Sequence, residues 1–196
     1  VRVIDDFSTG HRSNLGGFLQ QIDMHEASIS DHEACRTACE GVDYVLHQAA
    51  LPSVARSVQD PRATHETCAS GTLNLLVAAH EAGVQRFVYA GSSSAYGDTP
   101  TLPKHENMAA NPQSPYAVAK LTGERYAQVF PTLFGLETVV LRYFNVFGPR
   151  QDPVSPYSAV IPIFIRAALE GRAPIINGDG GQTRDFTYVD NVVSAN

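Results

Sequence analysis

Residues 86–120 constrain the fold more than any other stretch. Arg86-Phe87-Val88-Tyr89-Ala90 is a short, bounded run with the Val and aromatic content of a buried strand. It leads into Gly91-Ser92-Ser93-Ser94-Ala95-Tyr96-Gly97 and, after a Pro-containing loop, into Ser114-Pro115-Tyr116-Ala117-Val118-Ala119-Lys120. Ser114 reads as an N-cap, and Pro115 fits the first helical position. Hydroxyls at the C-terminal end of a parallel strand stand where α/β sheets hold their ligands. On the helix that follows, Tyr116 and Lys120 share a face one turn apart.

That pairing has a chemical use. A free Tyr, with a pKa near about 10, is a poor base at neutral pH. An ammonium one turn away is expected to favour the phenolate and lower that value. A Ser opposite would hold the substrate oxygen whose proton is taken. Tyr-x-x-x-Lys alone is mostly surface decoration, and serines after a strand often only make a turn. Their combination with a strand and a capped helix is far more specific.

Short apolar runs alternate with helical patterns along the rest of the chain. Strands are predicted at 1–4, 18–22, 44–47, 85–90, 138–144 and 174–176. Helices are predicted at 31–39 with Asp31 as N-cap, at 61–82 ended by Gly83, at 114–133, and at 160–171 ended by Gly171. Asp190 is expected to cap a terminal helix, residues 148–158 read as a Pro-rich loop, and 177–181 as a turn. The expected fold class is α/β, a doubly wound parallel sheet. On helix 114–133, Tyr116, Lys120, Gly123 and Ala127 line one side, with Val118, Leu121 and Val129 roughly opposite.

The motifs resemble the extended short-chain dehydrogenase/reductase family, in its NAD-dependent epimerase/dehydratase division. They are Ser-Ser-Ser-Ala-Tyr-Gly from Ser92, Ser-Pro-Tyr-Ala-Val-Ala-Lys from Ser114, and Leu141-Arg142-Tyr143-Phe144-Asn145-Val146-Phe147-Gly148-Pro149-Arg150-Gln151-Asp152-Pro153. The likeness extends over most of the chain and is nearest the UDP-N-acetylglucosamine and UDP-glucose 4-epimerase branch. It implies a Rossmann-like fold, NAD as cofactor and a UDP-sugar as substrate. The family's first strand and glycine-rich loop have no counterpart after Val1, so the sequence reads as an internal piece of a longer enzyme. Residues 1–144 would be part of the NAD-binding domain, and 145–196 would begin the substrate-binding part.

The resemblance also implies roles. Tyr116 is the acid–base group, Lys120 its partner, and Ser92 or Ser93 the donor to the sugar 4-oxygen. Asp5, with Asp6 beside it, would hold the adenosine ribose and favour NAD over NADP; the simpler reading of Asp5 is a strand-end turn. Asp23 and Met24 would meet the adenine, Gln48, Ala49 and Ala50 would let a pyrophosphate or the nicotinamide ribose approach the backbone, and Phe144 would complete the cofactor contacts. Asn145, Ala159, Val160, Ile176, Asn177 and Arg184 would hold the UDP, Arg184 because a guanidinium pairs bidentately with phosphate. Family members usually carry Asn near Thr67-Cys68; this chain does not, and Cys68 receives no role. The implied assembly is a homodimer through helices 61–82 and 114–133.

Related readings stay open: a UDP-glucuronate 4-epimerase, or a non-catalytic sugar-nucleotide-binding protein. A 4,6-dehydratase is disfavoured, because Ser93, Ser94 and Ala95 stand where family dehydratases place Asp-Glu. The net charge of −6 argues against a nucleic-acid or anionic-membrane partner. No apolar run reaches the roughly 20 residues of a membrane span. The three cysteines suggest no disulfide framework, and Cys35 and Cys39, one helical turn apart, would need further ligands to bind a metal. The composition suits a reducing cytoplasm.

Overall fold

The computed structural model describes residues 1–154 and 159–196. It divides into two compact units, Val1–Arg142 and Tyr143–Asn196.

The first unit alternates strands with helices. In chain order they are β1 (Arg2–Ile4), β2 (Asp23–His25), α1 (His32–Cys39), β3 (Tyr44–His47), α2 (Val54–Gln59), α3 (Pro61–His65), α4 (Gly71–Glu81), β4 (Arg86–Ser92), α5 (Pro115–Phe134) and β5 (Glu137–Tyr143). β1 pairs in parallel with β2, Arg2 opposite Asp23. β3 pairs in parallel with β4, Tyr44 opposite Arg86, and β5 lies on the other side of β4. Parallel strands joined through helices are the expected Rossmann-like arrangement. β4 is the central strand of its sheet and is correspondingly apolar: Phe87, Val88, Tyr89 and Ala90 are all buried. Phe87 and Tyr89 pack in one core with Leu75, Leu76, Ala79, Ala127, Phe130 and Leu136.

α1 begins as the sequence predicts, with the Asp31 carboxylate accepting from the Glu33 and Ala34 amides. Its two thiols face the core, and burial pushes Cys35 up to about 12 and Cys39 up to about 11. The 61–82 helix is not one regular helix. α3 and α4 are joined by a wide π-type turn, Glu66–Ser70, where Thr72 Oγ1 donates to the Cys68 carbonyl at 2.8 Å.

Two strand expectations fail. Residues 18–22 are turns, with Phe18 half exposed. The ladder begins only where the Asp23 amide donates to the Val1 carbonyl, so the apolar residues before it have no strand to pair with. Residues 174–176 form no strand either; Ile175 and Ile176 are exposed, and apolar content without a pairing edge does not make a strand. α2 is an addition to the expected helices: Ser53, at φ 97°, caps it by accepting from the Arg56 amide.

The second unit holds β6 (Asn145–Phe147), α6 (Val160–Leu169), β7 (Phe186–Tyr188) and α7 (Val189–Ala195). β6 and β7 pair in parallel, Asn145 opposite Phe186, and the Asn145 side chain donates to the Asp185 carbonyl. β6 is a further strand that the sequence does not announce. The expected 148–158 loop falls partly on 155–158, outside the described residues. Asp190 does not cap α7. Tyr188 takes the cap position, without a side-chain bond, and Asp190 lies in the first turn. Among the described residues, no helix is long and apolar enough to cross a membrane.

Candidate active site

The site in the first unit is built where β4 ends and α5 begins. Ser92 closes β4 and starts a single 3₁₀ turn, Ser93–Tyr96, by accepting from the Ser94 amide at 3.2 Å. The Ser92 and Ser94 hydroxyls are 2.8 Å apart. Gly97 ends the turn at φ 65°, and an added Cβ there would lie 1.8 Å from the Asn111 carbonyl oxygen, so only glycine fits. The chain returns at Asn111, whose amide donates to the Ala95 carbonyl at 2.8 Å. Ser114 then caps α5 by accepting from the Ala117 amide at 3.1 Å, and Pro115 takes the first position.

This geometry brings Tyr116, Lys120 and Ser92 together. Ser92 stands beside the Tyr116 phenol, close enough to lower its pKa. Of the two serine candidates, Ser92 is therefore the one aimed at Tyr116. Tyr116 packs on a small cluster of Ala50, Cys68, Ala69 and Ala119, so the Ala50 end of the 48–50 stretch reaches the same place. Lys120 is 3% exposed, and its ammonium lies 4.5 Å from the centre of the Tyr89 ring. Its Nζ makes no hydrogen bond among the described residues. Burial pulls its pKa down to about 8.

One electrostatic expectation is corrected. The Tyr116 pKa stands above its ordinary value, not below it. Burial pushes the phenol up, the neighbouring Cys68 thiol adds to this, and the lowering influence is Ser92. The base would gain strength only when further positive charge or hydrogen bonding is placed beside it.

The expected cofactor residues are placed as follows. Asp5 follows β1, and its Oδ1 accepts from the Phe7 amide at 2.7 Å; Asp6 accepts likewise from Ser8 at 2.9 Å. Asp23 is already engaged: its carboxylate takes the Arg2 Nε at 2.8 Å and lies 3.3 Å from the His25 Nε2. Met24 is half-buried in β2, and Gln48, just after β3, is exposed. Ala49 packs on the main core. In the second unit, Phe144 is half-buried between β5 and β6, and Ala159 caps α6 just before Val160. Ile176 and Asn177 are exposed and lead into the turn at 178–180, and Arg184 donates to the adjacent Thr183 carbonyl.

Sequence reasoning missed two parts of the site. One is Cys68, buried against Tyr116. The other is the ion pair of Glu124, one turn beyond Lys120 on α5, with Arg142 of β5. It is bidentate, with Nε to Oε2 at 2.9 Å and Nη2 to Oε1 at 2.6 Å. An acid one turn after Lys120 in an otherwise apolar face was the available signal.

Comparison with known proteins follows the same lines. The profile of the NAD dependent epimerase/dehydratase family matches residues 1–196. A putative UDP-glucose 4-epimerase of Methanocaldococcus jannaschii is 38% identical over all of this chain and 64% of its own length. A UDP-N-acetylglucosamine 4-epimerase from Methanobrevibacter ruminantium, solved in complex with UDP-N-acetylmuramic acid, superposes with a TM-score of 0.95 at 40% identity, over 100% of this chain and 63% of that one. A UDP-glucose 4-epimerase from Thermotoga maritima, solved with UDP-glucose, gives 0.94 at 38% identity, over 100% and 63%. The chain thus spans somewhat less than two thirds of the proteins it resembles.

Proposed function

The chain belongs to the NAD dependent epimerase/dehydratase family, and from that membership we propose that its protein is a nucleotide-sugar 4-epimerase, inverting C4 of a UDP-hexose of the UDP-glucose or UDP-N-acetylglucosamine type through a 4-keto sugar. The observation that carries this reading is the convergence of Ser92, Tyr116 and Lys120 at the end of β4. Ser92 stands beside the Tyr116 phenol and Lys120 is buried one turn along.

The residues fit a dinucleotide. A buried ammonium with no acceptor among the described residues is suited to the hydroxyls of a ribose. A carboxylate after a parallel strand, Asp5, is suited to those of another. When bound, NAD supplies a hydride acceptor and donor at C4. Tyr116 takes the proton of the sugar 4-hydroxyl and later returns it. Ser92 donates a hydrogen bond to the 4-oxygen. Lys120 holds the ribose on the nicotinamide side and places its positive charge near Tyr116. Asn145, Ala159-Val160, Ile176-Asn177 and Arg184 are assigned to the UDP by family likeness, and a homodimer in the cytoplasm belongs to the same reading. Ser93, Ser94 and Ala95 after Ser92 offer no acid–base pair for elimination, which sets the 4,6-dehydratase reading aside.

The test is interconversion of UDP-glucose with UDP-galactose and of UDP-GlcNAc with UDP-GalNAc, with UDP-glucuronate alongside. Tyr116→Phe is expected to lower turnover by roughly 10²–10⁴-fold, the range for a positioned acid–base group. A Tyr116→Phe protein that epimerises at the normal rate would refute the assignment.

A further inference from the structure

We infer that Glu124 and Arg142 form a positioning pair that holds the Ser92 turn against the Tyr116–Lys120 helix. This inference rests on the 4-epimerase reading and adds residues to it. Three elements meet at Arg142. It comes from β5, its guanidinium grips Glu124 of α5 through two hydrogen bonds, and its Cζ lies 4.6 Å from the centre of the Tyr96 ring. Tyr96 ends the 3₁₀ turn that Ser92 begins, and is itself 4% exposed. Glu124 sits one turn after Lys120 on α5. The turn carrying the hydroxyl and the helix carrying the phenol and the ammonium therefore share one clamp.

The pair is deeply buried, 1% exposed at Glu124 and 13% at Arg142. A bare stabilising role explains such a pair poorly, because apolar residues of similar size often serve stability as well or better. A planar guanidinium that accepts a carboxylate edge-on while stacking on an aromatic face fixes directions that apolar packing leaves loose. Arg142 Nη1 is buried without a hydrogen-bond partner among the described residues. Glu124 first, and Tyr96 after it, hold the guanidinium in its charged form, so the helix and the turn both act on it. What the clamp would protect is the placement of the Ser92 hydroxyl beside the Tyr116 phenol, and a displacement of that approach by about 1 Å is enough to lower turnover about a hundredfold.

The experiment replaces both partners, Glu124→Met with Arg142→Met, and separately makes Arg142→Lys. The double variant leaves no unpaired charge and is expected to melt close to the parent. If the pair positions the site, kcat falls roughly ten- to a hundredfold while KM for the UDP-sugar stays within about twofold, and Arg142→Lys, which keeps charge but loses the fork and the stack, falls between. A folded double variant with parental kcat overturns the inference, as does a change confined to KM. Should the double variant fail to fold, Arg142→Lys decides in the same terms. A crystal structure of the folded variant gives the readout that needs no turnover. An unchanged distance from Ser92 Oγ to the Tyr116 hydroxyl overturns the positioning role, and a lengthened one supports it. Absence of epimerisation by the parent protein would instead count against the 4-epimerase reading, leaving the structural comparison to judge the clamp.

Discussion

Lys120 is a residue the fold carries at a cost. Its ammonium is almost completely buried, faces the Tyr89 ring and has no hydrogen-bond acceptor among the described residues. Burial lowers its pKa from 10.5 to about 8. Below about pH 8 the folded and unfolded chains both hold the proton, and the burial penalty is present in full. Between there and 10.5 the unfolded chain holds a proton that the folded chain has released, so this group's contribution to stability rises with pH. Cys35, Cys39 and Tyr89 act in the opposite sense: burial raises them, the folded chain keeps protons the unfolded chain sheds, and stability falls as pH passes their unfolded values. Only the difference between two proteins isolates Lys120. Lys120→Met is expected to be more stable near neutral pH by up to about 3 kcal/mol, each tenfold change in proton affinity being worth about 1.4 kcal/mol. That advantage should shrink steadily as pH climbs from about 8 toward 10.5. Urea-unfolding midpoints of the two proteins across that window check this, and parallel pH curves would contradict it. A side chain that destabilises its own fold is what a site waiting for a ligand is expected to contain.

At the scale of the element, α5 shows how far local sequence reaches. The serine cap, the proline after it and the Tyr116–Lys120–Gly123–Ala127 face are all local or periodic signals, and the folded helix uses each of them. Gly123 is the close-approach residue: a Cβ there would lie 2.5 Å from the Tyr89 hydroxyl, 2.9 Å from Cζ of the same ring and 3.2 Å from the Cys68 carbonyl. The Tyr89 hydroxyl cannot retreat freely, since it donates to the Lys120 carbonyl at 3.0 Å. Helix propensity alone predicts that Gly123→Ala stabilises by about 1 kcal/mol. Packing reverses the sign, and a net loss of about 1–3 kcal/mol is expected, measured as a lower melting temperature. An unchanged or higher melting temperature would mean that α5 stands off β4 more loosely than described. The parts of the fold that are not legible in the sequence are those settled by distant partners. Nothing near Glu124 announces Arg142, 18 positions on. The start of β2 is decided by Val1 and Arg2 rather than by the apolar residues before it. Ile175 and Ile176 look like a strand but find no edge. The direction of the Tyr116 pKa is equally hidden, because spacing on a helix reveals proximity and says nothing of burial.

For the whole molecule, the decisive feature is that α5 has two apolar sides with only one of them covered. At about 100° per residue, Val118, Tyr126, Val129 and Leu133 fall within one stripe, opposite the side that presents Tyr116 and Lys120 to the core. That stripe is open: Val118 is 50% exposed, Val129 45% and Leu133 68%. Across 61–82 the large apolar residues are turned inward instead, Leu75 and Leu76 buried and Leu73 and Val77 packed on the core. In the proposed homodimer, α5 therefore contributes the apolar contact, and 61–82 flanks it with smaller and polar side chains. Val118→Asp with Val129→Asp tests this without touching the site, because both side chains point away from Tyr116. The parent is expected to scatter light as a dimer at micromolar concentration. The variant is expected to dissociate at concentrations about a hundredfold higher or more, since burying unpaired carboxylates costs several kcal/mol. Circular dichroism should show the helices intact, the substituted positions being solvent-facing within the chain. A parent that is monomeric, or a variant that stays dimeric, would place the assembly on some other surface and leave the α5 stripe as ordinary exposed apolar area.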